Sequence, residues 1–200
     1  LEYSIESMMN QTIKPDEFVL VEDGPLTEEL DSVVEKYAEK YPKIFNVVKI
    51  KKNGGLGPAL KLGVENCRNE YIARMDSDDY SVPDRIEKEL NMFLENPDLG
   101  MVGSNVSEFI DDIDNVVSSV VLPESNEDII KFSKKRNPFR HPSVLFKKSV
   151  VMSAGNYREY YLCEDYDMWL RMIRNNCICY NIQDVLVYMR IGADFYKRRG

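Results

Sequence analysis

The sequence predicts an α/β fold: a mixed, mostly parallel sheet flanked by helices. Three observations carry this. Short apolar runs alternate with helical patterns through the first hundred residues, the signature of a parallel sheet with helices on its faces. The second half changes to strands joined across a polar turn, which adds antiparallel pairing. The chain has 200 residues, 44% of them hydrophobic, enough for the core of one domain over residues 1–200.

The elements follow in order. LEYSIESMMNQ reads as the end of a helix, with Ile5, Met8 and Met9 on one face. FVLV, Phe18–Val21, is a continuous apolar run, as in a strand buried on both faces. Thr27 is placed to cap a helix with Glu28 and Glu29 in its first turn. Leu30, Val33, Val34, Tyr37, Ala38 and Tyr41 continue it at helical spacing. Val47, Val48 and Ile50 mark a second strand. NGGLGP is a loop, and Pro58 suits the first turn of a helix bearing Ala59, Leu60, Val64 and Cys67. Tyr71–Met75 is a third strand, and Pro83 opens a helix with Ile86, Leu90, Phe93 and Leu94 inward.

Beyond residue 100, Met101–Val106 and Val116–Leu122 read as strands joined across DDIDN. Ser125 caps a helix ending near Lys135, and HPSVLF holds a strand. EDYDMWLRMIRNN is a helix with acids at its start and Arg171 and Arg174 near its end, which complement the helix dipole. Cys177–Asn181 and Val185–Arg190 are short strands.

Composition removes several functions. A net charge of −8 argues against a general nucleic-acid binder. No segment reaches the apolar length of a membrane span, and the opening residues are not a signal peptide. The chain begins at Leu1 without a Met, which suggests a fragment. Cys67, Cys163, Cys177 and Cys179 lack metal spacing and read as free thiols in a cytoplasmic protein.

Ligands of open α/β sheets bind beyond the carboxyl ends of strands. Two acidic clusters fall there: Glu22-Asp23-Gly24 and Asp76-Ser77-Asp78-Asp79. In an extended chain Asp76 and Asp78 point to one side. Two carboxylates without a nearby His or Cys suit a hard divalent cation that keeps positions open for phosphate oxygens. Turn and cap chemistry accounts for the same D-S-D-D run. A calcium loop starting at Asp76 fails, because Ser81 stands where Gly is required and Pro83 interrupts the frame. Glu164-Asp165-Tyr166-Asp167 forms a third acidic cluster, which dipole complementation alone explains.

The order PDEFVLVEDGPLTEEL, NGGLGPALKLGVENC, YIARMDSDDYSVPDR, HPSVLFKKS and EDYDMWLRM resembles a family 2 glycosyltransferase of the GT-A fold, a Rossmann-like nucleotide-diphospho-sugar transferase architecture. The final YMRIGADFYKRRG is similar to a subgroup making bacterial capsular and exopolysaccharides of the amylovoran type. The resemblance implies a UDP-sugar donor, Mn²⁺ or Mg²⁺, inversion at the anomeric carbon, and a saccharide or polyprenyl-linked acceptor. It implies a nucleotide-sugar half over residues 1–100 and an acceptor half over 101–200, with the family's first strand expected ahead of Leu1. It also implies a cytoplasmic protein, at the inner face of the plasma membrane.

By position, Asp23 matches the aspartate that contacts the nucleobase. Asp76 matches the first acid of the D-x-D motif, near the ribose, and Asp78 the acid that binds the metal. Asp165 matches the catalytic base. Asp79 and Asp84 are assigned to the turn and to the next helix's first turn. His141 fits an acceptor site or a structural hydrogen bond, and Tyr166 and Trp169 fit sugar stacking or core. Arg74 fits the diphosphate or a neighbouring acid. Arg198 and Arg199 fit a diphosphate, an anionic membrane surface or a solvated tail. Many relatives carry a His after the last strand, where this chain reads Arg190-Ile191-Gly192. Two other readings remain: a sugar-nucleotide nucleotidyltransferase, which normally shows a basic glycine-rich loop after its first strand, and an inactive nucleotide-binding domain.

Overall fold

A computed structural model describes residues 1–192; the expectations for Arg198 and Arg199 lie outside them. The residues pack as two units, the first comprising Leu1, Pro15–Ile72 and Phe146–Cys177. The second comprises Glu2–Lys14, Ala73–Leu145 and the chain from Ile178.

In the first unit, β1 (Phe18–Asp23) and β2 (Phe45–Ile50) pair in parallel, from Phe18 opposite Phe45 to Asp23 opposite Ile50. The Phe18 and Phe45 rings stack with centroids 4.7 Å apart, a cross-strand contact that helps fix the register. Among the described residues β1 pairs only with β2, and Phe18–Val21 are half-buried rather than covered on both faces as their apolar run predicts. Thr27 caps α2 (Glu28–Lys40), accepting from Leu30 N–H as expected. Val34 and Tyr37 are its buried residues. α3 (Leu56–Asn66) starts inside the NGGLGP segment, so Pro58 falls within its first turn. Trp169 is fully buried on the later helix Glu164–Arg174, with the Phe146 and Tyr157 rings each 6.3 Å away. It is a core residue and not a sugar platform.

The second unit begins with α1 (Glu2–Met9), whose Ile5, Met8 and Met9 are buried as expected. β3 (Tyr71–Ala73) is shorter than predicted, and a two-residue strand, β4 (Tyr80–Ser81), went unpredicted. α4 (Arg85–Glu95), β5 (Leu99–Phe109), β6 (Val116–Val120) and α5 (Asn126–Ser133) follow. After a 3₁₀ turn at His141–Ser143 come β7 (Leu145–Lys147) and, past α6 (Lys148–Ser153) and α7 (Glu164–Arg174) of the first unit, β8 (Ile178–Arg190). The six-stranded sheet runs β3-β7-β5-β8-β4, with β6 on β5. β5 and β8 are parallel, while β4–β8 and β5–β6 are antiparallel, which makes the sheet mixed. The two short strands predicted after residue 176 are one continuous β8, and its register shifts near Asn105 absorb the Gln183-Asp184 interruption.

Every residue of β5 is buried, including Asn105, Ser107 and Glu108. Each finds a polar partner: Asn105 accepts from Leu122 N–H at 2.8 Å, Ser107 meets Ser119 at 3.0 Å, and Ser118 donates to Glu108. The strand therefore extends three residues past its predicted end. Leu94, expected inward, is 77% exposed. The buried stripe of α4 is instead Arg85, Glu89 and Phe93, at four-residue spacing. A fully buried ion pair, Arg85 Nε to Glu89 at 3.0 Å, occupies positions that a hydrophobic pattern leaves to solvent.

A Cβ on Gly57 would collide with the Arg158 carbonyl oxygen, whereas one on Gly63 would meet only Val21 at 3.4 Å. Gly57→Ala should cost about 1–3 kcal/mol in urea denaturation. Gly63→Ala should be neutral or gain up to ~1 kcal/mol from helix propensity. Burial pushes the Glu89 carboxyl up to about 7, with Arg85 opposing. Its folded pKa thus exceeds the unfolded one, so its contribution is complete below the ordinary glutamate range and is lost as pH rises through about 7. Between pH 5 and 8 the wild type should lose ~1–3 kcal/mol more than Glu89→Gln, measured as the change in unfolding free energy.

Candidate active site

The second unit holds Asp76 and Asp78, in the loop leaving β3. Side chains at residues 76, 78 and 79 crowd three carboxylates together, and three arginines hold the loop. Arg74, largely buried, pairs with Asp76. Arg85 donates from Nη2 to the carbonyls of Arg74 at 3.0 Å and Val144 at 3.3 Å. Arg190, at the end of β8, donates from its backbone N–H to Asp79 Oδ1 at 2.7 Å. Its guanidinium donates to the carbonyls of Asp78 at 3.3 Å and Asp111 at 2.6 Å, and lies over the Phe109 ring. On the other side Ser4, on α1, donates to the Asp76 carbonyl at 2.7 Å.

Asp78 and Asp79 have no ion-pair partner among the described residues. Asp79 is 2% exposed, and its Oδ2 is buried without a hydrogen-bond partner among the described residues. Burial first, then the Asp76 charge, pushes its carboxyl up to about 8. Asp78 reaches solvent, yet desolvation and then Asp76 raise its pKa as well. Asp79 is therefore not a local turn residue. It ties the loop to β8, a link 111 residues long that local pattern does not reveal. Asp84 stands at the N-cap of α4 and pairs with Lys88 at 3.0 Å, close to its expected role.

Asp23 ends β1 in the first unit. Its two carboxylate oxygens accept the backbone N–H groups of Gly54 at 2.8 Å and Gly55 at 2.9 Å. Asn53 Nδ2 donates to its carbonyl at 3.0 Å. Gly24, at φ +98°, lets the chain turn against Asn53, where a Cβ would come within 2.9 Å of that backbone nitrogen. Asp23 thus joins the VEDG and NGGLGP segments, a link the sequence did not disclose. Each of its oxygens retains a second lone pair for a ligand.

Asp165 lies in the first turn of α7, in the first unit, half-buried, accepting from Tyr166 N–H at 2.7 Å. Tyr166 is half-buried, and His141 is half-buried in the 3₁₀ turn. Asp23 and Asp165 share one unit, and Asp76 and Asp78 share the other.

Among the described residues no three His, Cys, Asp or Glu side chains form a metal-holding group. The donor set still suits a hard cation with few protein ligands. Asp78 is a solvent-facing carboxylate oxygen donor, and the excess negative charge around it favours a cation. Asp76 has one oxygen engaged by Arg74.

The sequence model described as "Glycosyl transferase family 2" matches residues 1–158. The chain is 41% identical over 201 residues to the amylovoran biosynthesis glycosyltransferase AmsE of Erwinia amylovora, covering all of this chain and 74% of that protein. It is 38% identical over 200 residues to the UDP-Gal:alpha-D-GlcNAc-diphosphoundecaprenol beta-1,3-galactosyltransferase of Escherichia coli, covering all of this chain and 72% of that protein. Among solved structures, the mannosyltransferase PcManGT of Pyrobaculum calidifontis, in complex with GDP-Man and Mn²⁺, aligns over 99% of this chain and 55% of its own. That match has a TM-score of 0.73 at 16% identity. Staphylococcus aureus TarS 1–349 in complex with UDP aligns over 98% of this chain and 58% of its own, with a TM-score of 0.66 at 15% identity. These likenesses show the GT-A fold, and this chain spans little more than half of either solved chain. With its family model matched over most of its length and relatives near 40% identity along all of it, the chain belongs to glycosyl transferase family 2.

Proposed function

We propose that this glycosyltransferase inverts the anomeric carbon of a UDP-sugar as it moves the sugar to a saccharide or polyprenyl-linked acceptor during surface polysaccharide synthesis. The observation that carries the reading is the acidic loop Asp76–Asp79, held at its main chain by Arg190 and Ser4 while Asp78 faces solvent. The relatives add support: one is named for amylovoran synthesis, another for galactosyl transfer from UDP-Gal to a lipid diphosphate acceptor. Residues 1–100 would serve the donor and 101–200 the acceptor.

In this reading Asp23 contacts the nucleobase with its free lone pairs, and Asp76, turned by Arg74, lies toward the ribose. Asp78 would hold Mn²⁺ or Mg²⁺, whose Lewis acidity offsets the charge that grows on the departing diphosphate, worth several kcal/mol. Asp165 takes the proton of the acceptor hydroxyl as its oxygen attacks the anomeric carbon opposite the leaving group. Such general-base help is worth about 10²–10⁴-fold. The reading includes action on the cytoplasmic side of the membrane; among the described residues no helix is long and apolar enough to cross one.

Two experiments bear on these roles. Asp165→Asn should lower transfer by about 10²-fold or more while UDP-sugar binding is kept; undiminished turnover would remove Asp165 as the base. Arg190→Ala removes two donors to main-chain carbonyls and leaves the backbone bond to Asp79 in place. It should raise KM for the donor about tenfold, the equivalent of 1.4 kcal/mol, with kcat changed less. Arg190→Lys should recover part of that loss.

A further inference from the structure

We propose that the cavity beside α6 and α7 in the first unit binds a phosphate-bearing anion. The cavity has a volume of about 570 Å³ and is lined by Arg158, Tyr160, Asp167, Arg171 and Arg174, with Ala154 and Asn175 completing it. Its charge is unbalanced: three guanidiniums face one carboxylate. Asp167 is taken by Arg171, at 2.7 Å. Arg171 also donates to the carbonyls of Ala154 and of Asn156, so it holds the end of α6. Among the described residues, Arg158 and Arg174 have no ion-pair partner.

Two of the guanidiniums converge. A Cβ on Gly155 would sit 3.6 Å from Arg171 Nη1 and 3.7 Å from Arg158 Nη2, so both face the space that this glycine, at φ +88°, leaves open. Converging like charges repel, and a dianion would relieve them. Forked guanidinium donors match phosphate oxygens in geometry and charge. Dipole complementation at the end of α7 accounts for Arg174 but not for Arg158, which lies on the loop after α6.

The site is separate from Asp165. Asp167, Arg171 and Arg174 form one stripe of α7, and Asp165, two residues before Asp167, lies about 200° round the helix. The site therefore does not depend on the glycosyl-transfer reading. The phosphate could come from a lipid headgroup or from a soluble phosphate compound.

The test is calorimetric titration of the full chain with inorganic pyrophosphate in EDTA, which silences any divalent-dependent binding at Asp78. Wild type should bind, and Arg158→Ala/Arg174→Ala should weaken binding at least tenfold with an unchanged melting temperature. Arg158→Gln alone, at an exposed position, should give a partial loss even if the double variant folds poorly. Sedimentation with phosphatidylglycerol and phosphatidylcholine vesicles separates the sources. Binding to the anionic vesicles that the same substitutions abolish assigns a lipid headgroup; pyrophosphate binding without vesicle binding assigns a soluble phosphate. Absence of pyrophosphate binding, or equal binding by wild type and Arg158→Gln, overturns the proposal.

Discussion

The crowding of carboxylates at the end of β3 is the constraint on which the second unit depends. Three acids within four residues cannot be held close without opposing charge, and the chain supplies it in layers. Arg85 enters from α4, fully buried, and holds main-chain oxygens rather than carboxylates. Its Nε donates to Glu89, whose carboxyl is shifted by burial toward the neutral form. A buried charge left without its partner would cost several kcal/mol, so this pair behaves as one structural piece. Arg74 takes Asp76; the Arg190 guanidinium takes the Asp78 carbonyl, and its backbone N–H takes the Asp79 carboxyl. Asp78 is left exposed, with no ion pair to an arginine among the described residues.

The first unit meets a similar need by other means. Among the described residues Asp23 is satisfied by backbone amides of Gly54 and Gly55 and not by a cation. The glycines matter because a main chain must come close, and Gly24 meets the same demand from its own side. An acid held by amides stays fixed in direction while keeping lone pairs for a ligand, which suits recognition. An acid left in solvent beside other acids suits a cation. The two units thus treat their strand-end acids differently, in accord with the different roles proposed for Asp23 and Asp78.

Local chemistry was legible in the sequence. Thr27 and Ser125 cap helices as their spacing predicts, because a capping hydroxyl needs only the next turn. The alternation of runs gave the α/β class, and the order of five motifs gave the family. What failed was non-local. Leu94 fits the apolar pattern of α4, yet the core takes Ile86, Leu90 and Phe93, while Arg85, bound to distant carbonyls, and its partner Glu89 complete the buried face. The full length of β5 was hidden by Ser107 and Glu108, whose partners Ser119 and Ser118 lie on another strand. Asp79 looked like turn chemistry because its partner is Arg190. The basic cavity was likewise invisible, since Arg171 and Arg174 read as ordinary residues of a helix end.

The central claim is that the loop at Asp76–Asp79 is a divalent-dependent site for a nucleoside diphosphate. Calorimetric titration of the full chain with UDP, with and without Mn²⁺, tests it most directly. The account predicts UDP binding that requires Mn²⁺ and that Asp78→Asn weakens at least tenfold. Equal binding of UDP with and without the metal, or binding unaffected by Asp78→Asn, would contradict it.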